Sequence, residues 1–326
     1  MSQTKKRVVV IGGGNGSAVS LVALKQFSQE YELSAVISML DSGYSSGSLR
    51  REFGVLPSGD ILRAVLALSK YDYPLLKQIF NRNRLHSLTS LNEKLKVGRG
   101  ASLGNLFLTF TALQEKDFVR AVRALEEAVE SIGHAYPSTL EQGDLVVTLD
   151  NGDVIRGEGN IDEPTYNRTL KIVEAHVEPE VSVYQEAAAV MREADAIVMG
   201  PGDVYTSIIS SLLSKGTQEA IVESKAKLIY IAGNAYHIEG ETGPTTLSGS
   251  VEAVSSHVPR KLDYVIYNNH ELSDTQKTYY QERKWGLLTF DQDNVHGPKV
   301  ITGDFERFGG GLCPDKLGGI LHTLIS

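Results

Sequence analysis

The stretch Val8–Phe27, VVVIGGGNGSAVSLVALKQF, constrains the fold more than any other part of the sequence. It opens with four apolar residues, continues with four glycines within five positions, and then shows apolar residues at helical spacing. This order predicts a buried strand, a turn of bare backbone and a helix that begins near Ser17. Glycine is needed where the backbone adopts a positive φ or where another group approaches closer than a Cβ would allow. The stretch therefore indicates a tight strand-to-helix junction.

Strands alternate with helices along the rest of the chain, which is typical of an α/β fold with a mostly parallel sheet covered on both faces. Apolar residues from Phe118 to Ile132 recur at spacings of three and four and predict an amphipathic helix. Asn151 and Gly152 lie between two extended runs and predict a type I′ turn, hence a small antiparallel hairpin insertion. The predicted strands are Arg7–Ile11, Leu33–Leu40, Leu145–Leu149, Ala196–Met199, Leu228–Ala232 and Tyr264–Tyr267.

Composition limits the class of protein. Hydrophobic residues make up 41% of the 326, and no repeat or long linker is present, so we expect one domain over 1–326 with embellishments near 151–176 and 268–316. A net charge of -8 argues against nucleic acid and anionic membranes as partners. No apolar run reaches the about 18 residues that span a bilayer. We therefore expect a cytoplasmic protein, as a monomer or a homo-oligomer. The single cysteine, Cys313, excludes an internal disulfide and a cysteine-based zinc site.

The glycine-rich junction predicts an anion site. Ligands of open α/β folds bind where parallel strands end, and a helix that begins there points its positive dipole end at the same place. Without a Cβ in the way, backbone N–H groups can approach a phosphate. The sequence does not match G-x-G-x-x-G, because Ser17 occupies the third glycine position, and no Walker motif follows. The loop therefore predicts a phosphate without identifying the ligand. The residues assigned to this cradle are Gly12, Gly13, Gly14, Asn15 and Gly16.

Further polar loops follow the other predicted strands, at what should be the same sheet edge. Carboxylates there could accept ribose hydroxyls or bind a metal ion, and hydroxyl and backbone groups could donate to an oxyanion. Gly59 and Asp60 have two equally weighted roles: they form a helix N-cap, or they contact the ligand. After the second predicted strand, the candidates are Asp41, Ser45, Ser46, Gly47 and Arg50, followed by Gly59 and Asp60.

A second glycine-opened helix follows the strand that ends at Met199. Asp203 is its predicted N-cap, and two such helix N-termini on one sheet edge would suit a ligand that carries two phosphates. Here the candidates are Gly200, Pro201, Gly202, Asp203, Thr206 and Ser207, and after the next strand they are Asn234, Glu241 and Thr242.

Several motifs in this order resemble a known family. They are GGGNG at 12–16, D-x-G-x-S-S-G-x-L-R at 41–50, P-x-G-D-I at 57–61, S-L-G-N-L at 102–106, G-P-G-D-x-Y-T-S-I at 200–208 and G-E-T at 240–242. The chain resembles the gluconeogenesis factor family, the YvcK-like proteins, which are similar to the 2-phospho-L-lactate transferase CofD of deazaflavin coenzyme biosynthesis.

The resemblance implies a fold and a ligand class. It implies a Rossmann-like three-layer α/β/α core, a cytoplasmic location, binding of nucleotide sugars such as UDP-N-acetylglucosamine, and a role in carbon metabolism and cell shape. For the transferase relatives it implies a guanosine diphosphate-linked substrate and magnesium. It also brings Ser102 and Asn105 of the S-L-G-N-L motif into the set of ligand-binding candidates.

The sequence departs from the family pattern at several positions. Leu62 stands where the family has an arginine, and Arg63 follows one residue later. Ser42 stands where the family has a second aspartate, Ala101 where it has a histidine, Asp203 where it has a serine, and Gly311 where it has an arginine. Ser42 removes a carboxylate, Ala101 a proton-transfer group and Gly311 a diphosphate partner that transfer chemistry would use. Asp203 instead adds a carboxylate beside the proposed anion site. These departures favour binding over catalysis.

We therefore expect a nucleotide-sugar binding factor that regulates gluconeogenic carbon metabolism and cell shape, with no catalytic residue assigned. Magnesium is the one cofactor considered, in a weak site formed by Asp41 and Asp60. The alternative is a magnesium-dependent phospholactyl or phospho-group transferase acting on a nucleoside diphosphate conjugate, and a dehydrogenase ranks third.

Overall fold

A seven-stranded parallel sheet forms the centre of the molecule, which is a computed structural model that describes residues 4–82 and 101–326. The strands are β1 Lys6–Gly12, β2 Tyr31–Ile37, β3 His134–Pro137, β7 Ala196–Met199, β8 Lys227–Gly233, β10 Tyr264–Asn268 and β12 Lys299–Gly303. Their order across the sheet is β12-β10-β8-β7-β1-β2-β3.

Helices cover both faces of this sheet. Successive residues of β1 point to opposite faces, so Val8 and Val10 pack into one hydrophobic cluster while Val9 and Ile11 pack into the other. Burial on both sides explains why the strand is a continuous apolar run. The predicted three-layer α/β fold is confirmed. The helices are α1 Gly14–Lys25, α2 Tyr44–Phe53, α3 Gly59–Leu68, α4 Tyr73–Lys77, α5 Leu103–Glu115, α6 Phe118–Ala128, α7 Glu158–Asp162, α8 Gln185–Arg192, α9 Thr217–Glu223, α10 Leu247–Ser255, α11 Asp274–Glu282 and α12 Pro314–Ile325.

In the described part of the chain, two small antiparallel sheets lie outside the central one. β4 Asp144–Leu149 pairs with β5 Val154–Arg156 and with β6 Ile172–Glu178, and β9 Ala235–His237 pairs with β11 Trp285–Leu287. The first of them is the predicted hairpin insertion.

The turn of that hairpin differs from the prediction. The N–H of Gly152 donates to the carbonyl of Leu149, and Gly152 adopts φ +90°. Asn151 has no positive φ, whereas a type I′ turn requires positive φ at two successive residues. The type I′ prediction is therefore wrong, because one glycine alone supplies the left-handed position.

Several element boundaries also differ. β2 ends at Ile37, four positions before Asp41, and α1 begins at Gly14 rather than near Ser17. The helix predicted to reach Ile132 ends at Ala128, because Glu130 turns the chain with φ +48°. None of the helices in the described ranges has both the length and the apolar character needed to cross a membrane.

Candidate functional site

The N-terminus of α1 is open. Gly13 is its N-cap in an extended conformation, and within residues 4–82 and 101–326 no side chain caps the first turn. Gly14 adopts φ +63°, which bends the chain from β1 into the helix. The N–H groups of the first helical turn have no intrahelical acceptor, so they remain available to a ligand. The predicted cradle therefore exists as a helix N-terminus, and its binding of phosphate remains a prediction.

The glycines of this loop serve different purposes. A Cβ on Gly16 would lie 1.8 Å from the carbonyl oxygen of Pro201, so this glycine lets α1 approach the loop after β7. A Cβ on Gly13 would lie 2.6 Å from a carboxylate oxygen of Asp60. Close approach of neighbouring groups and the left-handed Gly14 thus explain why the junction needs so much bare backbone.

A cavity of about 380 Å³ opens beside the cradle, and we call it the acidic pocket. Arg63 is the cationic side chain in its described lining, and its guanidinium is hydrogen-bonded to Asp60. Negative charge therefore dominates the pocket. Its acidic residues are Asp41, Asp60, Glu158, Asp162, Glu163 and Asp203.

Burial raises the pKa values of four of these carboxyl groups, with mutual repulsion as a second cause for Asp41, Glu158 and Asp162. Burial, with the charge of Asp60, raises the pKa of Asp41 to about 6. Burial, with the charge of Asp41, raises the pKa of Glu158 to about 9. Burial and the charge of Asp203 raise the pKa of Asp162 to about 6, and burial raises the pKa of Asp203 as well. At neutral pH Glu158 is therefore mostly protonated, whereas Asp41 and Asp162 remain mostly ionised and favour a bound cation.

The large cleft adjoins the acidic pocket and has a volume of about 1230 Å³. It extends from the cradle to the β9–β11 ribbon, where Trp285 and Arg283 form part of its wall. Because the two cavities meet at the cradle, an anion bound there would lie between them. The residues that line both are Asn15, Gly16, Asp162, Glu163, Gly202 and Asp203.

A buried carboxylate supports the far wall of the cleft, and sequence reasoning missed it. Glu306 is 2% exposed and accepts hydrogen bonds from the side-chain amide of Asn268 at 2.6 Å and from the N–H of Gly311 at 2.8 Å. The hydroxyl of Tyr280 lies within 3.3 Å of both Glu306 and Asn234. These contacts fix Asn234 and Gly311, which line the cleft, and no local motif in the sequence indicates them.

The second predicted helix N-terminus is already occupied. Asp203 precedes a single π-helical turn, Val204–Ile208, without capping it through its side chain. Instead, the carboxylate of Glu241 accepts the N–H groups of Tyr205 at 3.0 Å and Thr206 at 2.8 Å. Burial, with the charge of Asp203, raises the pKa of Glu241 to about 8. A ligand with two phosphates therefore meets one open helix N-terminus instead of two.

The structure brings about half of the predicted ligand residues to the two cavities. They are Gly13, Gly14, Asn15, Gly16, Asp41, Asp60, Pro201, Gly202, Asp203, Thr206, Ser207 and Asn234. The N-cap alternative for Asp60 is wrong, because Ser58 is the N-cap of α3 and Asp60 lies in the first turn. The predicted residues that line neither cavity are Gly12, Ser45, Ser46, Gly47, Arg50, Gly59, Ser102, Asn105, Gly200, Glu241 and Thr242.

Some of the predicted residues that line neither cavity, which we call the outer residues, stabilise the residues that do line the acidic pocket. Ser46 is hydrogen-bonded to Asp41, and a Cβ on Gly59 would lie 2.6 Å from the Ser46 hydroxyl oxygen. Ser45 accepts a hydrogen bond from the amide of Asn105 at 3.2 Å. Ser102 caps α5 through the N–H of Asn105. Together they hold the first turn of α2, and Asp41 before it, against α3 and α5.

Other outer residues stabilise the surrounding loops. Arg50 pairs with Asp144 at 3.0 Å, which ties α2 to β4 and directs its charge away from the acidic pocket. Thr242 lies 3.1 Å from the hydroxyl of Tyr166. Gly200 adopts φ +87° and accepts the hydroxyl of Ser20 through its carbonyl.

Known proteins with similar sequences and folds identify the family. The family model for the 2-phospho-L-lactate transferase CofD matches residues 8–306. A Clostridium acetobutylicum relative is 33% identical over 325 residues, which covers 98% of this chain and 69% of the relative. The gluconeogenesis factor of Bacillus subtilis is 31% identical over 295 residues, which covers 89% of this chain and 87% of its own.

A solved structure confirms the fold. The X-ray crystal structure of a Bacillus halodurans protein superposes with a TM-score of 0.86 at 29% identity, and it covers 98% of this chain and 100% of that one. The sequence similarity and the fold thus agree with the motifs quoted in the sequence analysis. The chain belongs to the 2-phospho-L-lactate transferase CofD family, as a relative of the gluconeogenesis factors.

Proposed function

We propose that this protein is a cytoplasmic nucleotide-sugar binding factor that regulates gluconeogenic carbon metabolism and cell shape, with a ligand of the UDP-N-acetylglucosamine type. The open α1 N-terminus at the meeting point of two cavities is the observation that supports this proposal most. The name of the Bacillus subtilis relative supports the metabolic role.

The two cavities suit the two ends of such a ligand. A diphosphate at the cradle would leave one substituent for the acidic pocket and the other for the large cleft. Carboxylates accept hydrogen bonds from hydroxyl groups, so the acidic pocket favours the sugar. The large cleft, with its aromatic and cationic wall, favours the base.

The hydrogen bonds of Ser42 favour binding without turnover. Its hydroxyl accepts the N–H of Gly159 at 3.0 Å, and its own N–H donates to Glu158 at 3.2 Å. Both groups thus attach α7 to the pocket wall, at a position where the transferase relatives have a carboxylate. The residue serves the structure of the pocket instead of transfer chemistry.

Calorimetry with UDP-N-acetylglucosamine, UDP, GDP and NAD tests the proposal through Gly14. We expect Gly14→Val to abolish binding, because a valine side chain would enter the cradle. Gly54→Val is the matched control: Gly54 has φ +66° and lies outside both cavities, and no atom of the described part of the chain comes within 4 Å of a new Cβ, so the backbone strain is the same. Wild-type affinity in Gly14→Val would remove the cradle from the proposal, as would equal loss of affinity in Gly54→Val.

A magnesium-dependent transferase is the second candidate, and the pair Asp41 and Asp60 beside the cradle favours it. Among the described residues no group of three acidic, histidine or cysteine side chains could bind a metal ion. Magnesium is, however, often held by one or two carboxylates together with phosphate oxygens, and these two residues fit that pattern. They would hold the ion, which would neutralise charge on the diphosphate.

Mass spectrometry of the protein incubated with a phospholactyl-guanosine donor, a deazaflavin acceptor and magnesium distinguishes the two candidates. We expect no turnover and a change of less than about threefold in nucleotide-sugar affinity on adding magnesium, since Arg63 already pairs with Asp60. Multiple turnovers that disappear in Asp41→Asn would favour the transferase instead.

A further inference from the structure

The single tryptophan of the chain lies in the wall of the large cleft. Trp285 begins β11 and is paired with His237 of β9, which also lines the cleft. The indole is half-buried, so part of it faces the cavity. A large aromatic surface left open in a cavity is a common feature of sites that bind planar groups.

Contacts on its protein side hold this indole in place. Its ring stands at 86° to the ring of Tyr280, with 5.3 Å between the centroids. Gly310 and Gly311 adopt φ +85° and +80°, and Cβ atoms there would lie 3.5 and 3.6 Å from the indole. Tyr280 and Gly311 are both hydrogen-bonded to the buried Glu306. The aromatic surface is therefore preorganised.

Positive charge accompanies the aromatic surface. The guanidinium of Arg283 lies 5.5 Å from the centroid of Trp285 and 5.4 Å from that of Tyr279. Arg307 also lines the cleft and donates to the carbonyl of Gly310. A planar, electron-rich group can stack on an aromatic ring and on a guanidinium at the same time.

We infer that Trp285 stacks the nucleobase of the bound nucleoside diphosphate conjugate and thereby determines that the base lies at the β9–β11 end of the cleft. This inference rests on the proposed function, because it assumes the diphosphate at the cradle. It assigns the base to the large cleft and leaves the acidic pocket to the sugar. A sugar ring stacked on the indole is the opposite orientation.

Fluorescence tests the inference directly, since tryptophan emission of this chain comes from Trp285 alone. UDP and UDP-N-acetylglucosamine should quench the emission. N-acetylglucosamine 1-phosphate and pyrophosphate, which lack a base, should bind by calorimetry without quenching it. In Trp285→Leu the affinity for UDP should fall at least about tenfold while that for pyrophosphate stays unchanged, and Trp285→Phe should restore most of the UDP affinity.

Phe110→Leu is the matched control for the Trp285 variants. Phe110→Leu changes an exposed aromatic residue of α5 that lines neither cavity, so it should bind UDP as the wild type does. Wild-type UDP affinity in Trp285→Leu would overturn the inference and leave the proposed function standing. Quenching by N-acetylglucosamine 1-phosphate but not by UDP would also overturn it. Failure of the wild type to bind any of these ligands would reject the proposed function and the inference together.

Discussion

Gly14 and Gly16 of the first loop are needed for different reasons, one for the backbone conformation of the anion cradle and the other for helix packing. Gly14 needs its left-handed backbone, whereas Gly16 needs the space that a Cβ would take from Pro201. The sequence predicts that bare backbone is required here. It does not predict the Pro201 contact, because 185 positions separate the two residues and only the pairing of β1 with β7 brings them together.

Gly16→Ala should destabilise the protein by about 1 to 3 kcal/mol or more, because the new methyl group would force α1 away from the carbonyl of Pro201. Gly319→Ala in α12 is the matched control: no atom of the residues that the structure describes lies within 4 Å of the new Cβ, so the change should be stabilising by about 0.5 to 1 kcal/mol. Urea unfolding of the two variants measures both effects. Equal stability of the two would contradict the role of Gly16.

Glu306→Gln should lower both stability and nucleotide affinity. The amide would place a donor against the donors of Asn268, Gly311 and Tyr280, and one unsatisfied buried group costs about 1 to 3 kcal/mol. Urea unfolding and calorimetry with UDP measure the two effects. The exposed Glu271→Gln serves as control and should change neither. Unchanged binding in Glu306→Gln would show that the network does not position the cleft wall.

Among the elements, the two helix N-termini at the sheet edge contrast most. None of the described side chains caps α1, whereas the turn Val204–Ile208 receives the carboxylate of Glu241. Both begin after glycines, so the local sequence predicts two equivalent anion sites. The distinction lies in a residue 36 positions away from Tyr205, and only the tertiary structure supplies it.

Glu241 should make stability depend on pH. Burial, with the charge of Asp203, raises its pKa from the ordinary 4.5 to about 8, so between these pH values the folded chain binds a proton that the unfolded chain has lost. Stability should therefore fall as pH rises from about 4.5 to about 8. Melting temperatures across this range measure the fall.

Glu241→Gln cannot ionise, so its melting temperature should fall less steeply over the same range. The slope should not vanish, because Asp41, Glu158 and Asp162 also have raised pKa values. Glu252→Gln, an exposed change on α10, should keep the wild-type slope. If Glu241→Gln kept it too, the carboxylate of Glu241 would not be the source of the pH dependence.

For the molecule as a whole, the sequence predicts the central strands and the covering helices better than the two edge strands of the sheet. The buried run of β1 and its helix are visible in the apolar pattern. β3 and β12 are not, since HAYP and KVITG are short and only partly buried, and they become strands through pairing with β2 and β10. The Glu306 network could not be predicted either, because its donors come from three separate segments.

Hydrogen exchange of the whole chain should show whether one ligand reaches both ends of the large cleft. With UDP-N-acetylglucosamine bound, amides at 12–16 and at 283–287 should gain protection together, because the cradle and Trp285 line the same cavity. Peptides from α6, which lines neither cavity, should exchange unchanged. Protection at only one of the two ends would contradict a ligand that spans the cleft.

The strand order also has a consequence for synthesis of the protein. β1 ends at Gly12, and one of its two partners, β7, begins at Ala196. A ribosome that adds about 5 to 20 residues per second needs about 10 to 40 s to produce the chain between them. For that time the nascent chain carries an apolar strand with one unpaired edge, which exposes it to wrong pairing with other chains. Protection by a chaperone would therefore matter most before the second half of the protein is translated.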